Sequence, residues 1–153
     1  MSGINVGRWL AGGVVAGIII WILEGAASLL YFDDMKAAME RHTLSMEMSA
    51  GMWVASVVVS LIVGLALVFF YAASRPRFGA GPKTAILIAV ALWIAGYLVS
   101  LLGYAMLGLF PTSMLVLWGV VSIVEMIVAS LAGAWIYREP ASAPAAAAQP
   151  AMT

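Results

Sequence analysis

An all-α bundle of four transmembrane helices, paired as two antiparallel hairpins with both termini cytoplasmic, is the fold this sequence predicts. Three observations predict it. The chain of 153 residues is 65% hydrophobic and only 9% charged, whereas a soluble domain averages about 25% charged residues. Four apolar runs each reach the roughly 20 residues that cross a bilayer. The seven basic residues, finally, divide unevenly between the two sides of a four-span arrangement.

The first helix is expected over residues 9–32, bounded by Arg8 and by Asp33-Asp34. Its apolar run is longer than the roughly 7–15 residues of a signal-peptide core, so it is kept as a span. Gly12, Gly13, Ala16 and Gly17 form two small-xxx-small pairs, a pattern that lets helix backbones approach closely in lipid. Residues 33–49 are polar, and Met35, Ala38, Met39 and His42 recur at one helical face. A short amphipathic helix at the outer membrane surface is expected there.

The second helix is expected over 51–74, with Arg75-Pro76 ending it because proline disfavours helical geometry before it. Between the hairpins lies Ser74-Arg75-Pro76-Arg77-Phe78-Gly79-Ala80-Gly81-Pro82-Lys83-Thr84, which carries three of the seven basic residues. The third helix follows over 84–110, with Pro82 suited to its first turn. Pro111 stops it, and Thr112 or Ser113 is placed to cap the fourth helix over 113–137. Residues 1–138 thus make one membrane domain. Residues 139–153 form an Ala/Pro-rich tail with nothing to bury, expected to be disordered.

Arg8, Arg75, Arg77, Lys83 and Arg138 fall on one side of this arrangement, while Lys36 and Arg41 fall on the other among four acids. The excess of Lys and Arg marks the cytoplasmic side. Trp9, Tyr71, Trp135 and Tyr137 are expected as the inner aromatic belt, and Tyr31, Phe32, Trp53 and Phe110 as the outer one.

Composition excludes several functions. Net charge is zero, whereas a nucleic-acid partner requires a basic face. There is no cysteine, hence no disulfide, thiolate chemistry or Cys-ligated zinc. Gly79-Ala80-Gly81-Pro82-Lys83-Thr84 lacks the glycine before Lys and the preceding strand of a phosphate-binding P-loop. No Ser-His-Asp set or HExxH motif occurs, and no enzyme or cofactor is expected.

The chemistry left inside the spans is carboxylic. Glu24 interrupts the first helix and Glu125 the fourth. A charged group at mid-bilayer costs at least about 2.5–3.5 kcal/mol, so such residues face the bundle interior. No Lys, Arg or His lies within the spans to neutralise them. At about 1.5 Å per residue, Glu24 lies about 12 Å and Glu125 about 18 Å below the outer helix ends, one turn apart in depth. The two can share a site if the first and fourth helices adjoin.

Stripes of polar and aromatic residues run with the glutamates at spacings of three and four: Gly17, Trp21, Glu24, Ser28 and Tyr31; Trp53, Ser56 and Ser60; Trp93, Tyr97, Ser100 and Tyr104; Trp118, Ser122, Glu125 and Ala129. Glu24, Glu125, Tyr97, Ser100, Tyr104 and Ser122 are therefore the candidates for binding a proton or cation, or for helix contact. They form a polar vestibule above an inner plug of small residues that sets Ala129 and Gly133 against the first-helix glycines. Arg75, Arg77 and Lys83 are candidates for lipid headgroups. Met35, Met39 and His42 offer thioether and imidazole ligands of the kind that suit Cu(I).

The stretch Tyr71-Ala72-Ala73-Ser74-Arg75-Pro76-Arg77-Phe78-Gly79-Ala80-Gly81-Pro82-Lys83-Thr84-Ala85 resembles the central loop of a group of small bacterial four-span membrane proteins of unassigned function. Their plan is similar over residues 8–139, with a Gly-rich first helix, an outer polar segment and a Phe-Pro turn before the last helix. The resemblance implies this fold and a bacterial inner-membrane location, and no activity. A looser similarity of plan links the chain to small multidrug-resistance transporters, which also have a glutamate in the first of four spans. This chain departs from them in its length and in its second glutamate.

The leading expectation is thus a small integral membrane protein acting structurally or through helix interactions, with lipids and either a second copy or another membrane protein as partners. A proton- or cation-coupled small-molecule transporter using Glu24 and Glu125 is the second expectation. An outward-facing metal-binding accessory protein is the third.

Overall fold

The computed structural model describes residues 4–138. The predicted tail from 139 onward lies outside the described residues. Six α-helices follow one another: α1 (Val6–Ser28), α2 (Phe32–Arg41), α3 (Ala50–Phe78), α4 (Pro82–Trp93), α5 (Val99–Leu107) and α6 (Thr112–Ile136), with a π-helical turn at Ile94–Leu98 joining α4 to α5. Taken together, Pro82–Leu107 form one spanning rod, and with α1, α3 and α6 the chain has four helices long and apolar enough to cross a bilayer. No strand occurs among the described residues. These are the elements of a multi-pass membrane protein.

Local chemistry explains the starts and stops, and it corrects several expected boundaries. The first helix begins at Val6, not at residue 9, because the Asn5 side chain accepts a hydrogen bond from the Arg8 amide and caps it. It ends at Ser28, so Tyr31 sits in a turn before α2 and not on the span. Ser49 caps α3 by accepting from the Met52 amide. Pro76 does not end that helix, which runs on to Phe78. Proline removes only the amide that would bond the carbonyl four residues earlier, and so close to the terminus one missing bond is tolerated. Gly79, at φ 82°, closes it instead. Pro82 opens α4 as expected.

The third span stops at Leu107, short of Phe110, because Gly108 takes the left-handed conformation (φ 64°) that caps a C-terminus. Neither Thr112 nor Ser113 caps α6; Pro111 occupies the N-cap position, with no side-chain hydrogen bond. The segment between the first two spans holds α2 as expected, shortened to ten residues. Its Ala38 is buried and Met35 packs against Tyr31, Ala27 and Met114.

Cross-helix contacts give the helix directions. Trp9 Nε1 donates to the Leu65 carbonyl and Trp21 Nε1 to the Ser56 hydroxyl, so α1 and α3 run antiparallel. Gly12 meets Gly133 at one end of α6 while Tyr31 meets Trp118 at the other, so α1 and α6 are antiparallel too. Trp93 Nε1 donates to Ser122 Oγ, and Ser130 Oγ to the Ala85 carbonyl, pairing the α4 span with α6. The last helix therefore lies against both hairpins. It buries ten residues, more than any other element.

Small residues set the helix spacing. A β-carbon at Gly64 would lie 2.2 Å from the Gly17 nitrogen and 2.4 Å from the Gly13 carbonyl oxygen, so α1 and α3 touch backbone to backbone. Gly12 and Ala16, on the next face, meet Gly133 in the same way. Here the structure matches the small-residue plug read from the sequence and adds Gly64 to it.

Candidate functional site: a carboxylate pair inside the bundle

Because α1 and α6 adjoin, the one-turn difference in depth between Glu24 and Glu125 brings their carboxyl groups together. Each lies within electrostatic reach of the other, and both act on Tyr31 and Tyr97. Glu125 is 3% exposed. The Tyr31 hydroxyl donates to Glu24 Oε1 at 2.5 Å. The remaining oxygens are unsatisfied: Glu24 Oε2 and both carboxyl oxygens of Glu125 are buried without a hydrogen bond, and no hydrogen bond of good geometry joins the two acids. Buried polar groups are hydrogen-bonded almost throughout native proteins, so three free acceptors in one place are conspicuous.

Beside Tyr31 stands an aromatic wall. Tyr104 stacks on Trp118 with centroids 6.0 Å apart, Phe110 packs edge-on against both, and the Tyr31 ring lies 6.1 Å from Trp118. Trp118 Nε1 is buried with no hydrogen-bond acceptor. Deeper along α6, Ser122 is fully buried; it accepts from Trp93 and donates to the Gly119 carbonyl. Tyr31 itself lies outside the spans. Burial first, then its bond to the Glu24 carboxyl, pushes its hydroxyl well above the ordinary tyrosine range, so it remains a proton donor.

Tyr97 reaches the pair from the π-helical turn at Ile94–Leu98. Such turns carry an extra residue per turn and occur frequently at functional sites. Ser100 is the one candidate that the structure removes. It is exposed and donates to the Gly96 carbonyl. Glu24, Glu125 and Tyr97 therefore share one place, Ser122 lies one turn from Glu125 along α6, and Tyr104 joins through its stack on Trp118. Tyr31, Trp93 and Trp118 join them. Their signal was the stripe spacing, seven residues from Glu24 to Tyr31 and from Trp118 to Glu125.

The other candidates lie elsewhere. Of the three headgroup residues, Arg75 lines a cavity at the opposite end of the bundle, while Arg77 and Lys83 are exposed outside it. Met35 and Met39 lie on the inward side of α2, and His42 is exposed just past its end. No group of three His, Cys, Asp or Glu side chains that could hold a metal occurs among the described residues. The aromatic belts are also thinner than expected. Trp135, Trp53 and Phe32 are exposed, but Tyr31, Tyr71 and Tyr137 turn inward and are buried.

Comparison with protein-family models, with characterised proteins and with solved structures finds no match to this chain. Function must therefore be argued from the site.

Proposed function

We propose that this small integral membrane protein binds a proton or a small monovalent cation between Glu24 and Glu125, as the ion site of a proton- or cation-coupled carrier for small molecules. The observation that supports it is the cluster of three buried carboxyl oxygens without hydrogen-bond partners. Two carboxylates side by side in a bundle interior repel one another, and each loses solvation energy. No basic side chain lies deeper than the terminal turns of the spans to offset this. A shared proton, or a desolvated cation held by carboxyl and hydroxyl oxygens, satisfies every free acceptor at once. Tyr31 and Tyr97 then orient the pair, and the aromatic wall keeps it dry.

A second reading, in which the acids serve as helix-joining hydrogen bonders, rests on the Tyr31–Glu24 bond. The polar end with Arg8, Arg75, Arg77, Lys83 and Arg138 is assigned to the cytoplasm by its charge excess, which places both termini there and suits a bacterial inner membrane.

Infrared spectroscopy of the protein in lipid bilayers separates the two readings. A protonated-carboxyl band that falls as pH rises, or as sodium is added at fixed pH, and that disappears in Glu125→Gln, is the expected result. A band indifferent to both pH and sodium overturns ion binding and leaves the structural role.

A further inference from the structure

At the end of the bundle where α1 and α4 begin and α3 and α6 end, a cavity of about 590 Å³ opens. Two guanidinium groups line it, those of Arg75 and Arg138, and among the described residues no acid does. Both are held on aromatic rings. Arg75 Cζ sits 5.4 Å from the centre of the Tyr137 ring, and Arg138 Cζ sits 4.9 Å from that of Trp135.

The tyrosine under Arg75 is itself held in place. The Asn5 amide donates to the Tyr137 hydroxyl and the Gly81 amide to the Tyr71 hydroxyl, each at 3.1 Å, and the two tyrosines meet edge to face at 6.3 Å. Four separate chain segments thus fix the ring on which Arg75 rests before any ligand arrives, which reduces the ordering cost of binding. Guanidinium groups recognise phosphate oxygens through paired, charge-assisted hydrogen bonds. The wall between them is apolar, with Leu131 and Ala134, and Trp135 is 66% exposed at the same level, as tryptophan is at a membrane–water interface.

We infer that this cavity seats the phosphate group of an anionic phospholipid. The phosphate lies between Arg75 and Arg138, and the glycerol backbone rests on Leu131 and Trp135. In sequence Arg138 is only an orientation charge, but the fold brings it to Arg75 across 62 intervening residues. The site is independent of the carboxylate pair, which lies in the other half of the bundle.

Native mass spectrometry of the full chain released from nanodiscs containing both phosphatidylglycerol and phosphatidylcholine tests this. Retained phosphatidylglycerol is expected to fall about tenfold in Arg75→Gln and in Arg138→Gln, the loss appropriate to one charged hydrogen-bonding partner. It is expected to stay unchanged in the double variant Arg77→Gln/Lys83→Gln, which keeps the cavity and removes twice the charge of either single variant. Equal loss in that double variant reduces the effect to diffuse surface charge and overturns the site. Equal retention of phosphatidylcholine overturns the selectivity for anionic lipid, and displacement of the lipid by inorganic phosphate overturns the lipid as the source of the phosphate. Arg138 is exposed at the end of α6, so its variant keeps the test meaningful if Arg75→Gln fails to fold.

Discussion

The Tyr31 hydroxyl donates a hydrogen bond to Glu24 Oε1 across the turn that ends α1. That bond ties the C-terminal end of the first span to the carboxylate pair, and it occupies one of the pair's four oxygens. Replacing Tyr31 by Phe leaves both Glu24 oxygens unpaired and is expected to cost about 1–3 kcal/mol of stability, the penalty for a buried polar group losing its partner. The bond also has a pH signature. The folded-state pKa of Tyr31 is raised, so its contribution is complete below the ordinary tyrosine value near 10 and fades only as pH rises beyond it. Denaturation of wild type and Tyr31→Phe in mixed micelles, compared at neutral and strongly alkaline pH, should show the gap between them closing as pH rises.

The two glutamates are expected to behave as one unit. In Glu24→Gln or Glu125→Gln, one acid is left beside a neutral amide that can donate to it, so the repulsion disappears with either change. The double variant should therefore depart from additivity by about 0.5–3 kcal/mol, as residues in direct contact do. Strict additivity in a double-mutant cycle of unfolding free energies would show that the carboxyl groups do not touch.

Backbone contact at Gly64 makes it the least replaceable residue on α3. A side chain there must displace the Gly17 and Gly13 backbones, so Gly64→Val should separate α1 from α3 and cost more than the roughly 1–3 kcal/mol of ordinary overpacking. Gly25, on the same α1 helix, has nothing within 4 Å of an added β-carbon. Gly25→Ala should be neutral or stabilising by up to about 1 kcal/mol. Thermal unfolding in detergent distinguishes the two, and equal effects would contradict the packing.

The π-helical turn carries one residue more than a regular α-helix needs. Deleting Ala95 should let Ile94–Leu98 close into α-helix and keep the faces of α4 and α5 where they are. Deleting Leu87, within α4, should rotate everything after it by about 100° and tear Trp93 from Ser122. A folded, monodisperse protein is expected from the first deletion and aggregation from the second. Infrared titration of the Ala95 deletion should also change, because Tyr97 reaches the carboxylates from that turn.

Much of this molecule was legible in local chemistry. Lipid solubility is nearly additive over side chains, so four apolar runs and two intramembrane acids are visible without coordinates. The glycines of α1 likewise announced a close helix contact, and the depth arithmetic set Glu24 and Glu125 one turn apart. Cap chemistry was less legible, because the choice between Thr112 and Pro111, or between Pro76 and Gly79, turns on energies of about 1 kcal/mol that neighbouring contacts override.

The sequence by itself determined the number of spans, their order and the uneven charge of their ends, since each depends on composition along a single segment. The tertiary structure decided which residues meet. It placed Gly64 against Gly17, brought Arg138 to Arg75, turned Tyr31 inward onto Glu24, and set Tyr97 near the acids from a π-helical turn while Ser100 stayed exposed. The physical reason is phase: a helix face is set by rotation about its axis, and one added residue moves that face by about 100°. Only packing between helices chooses the rotation, and no single segment carries that information.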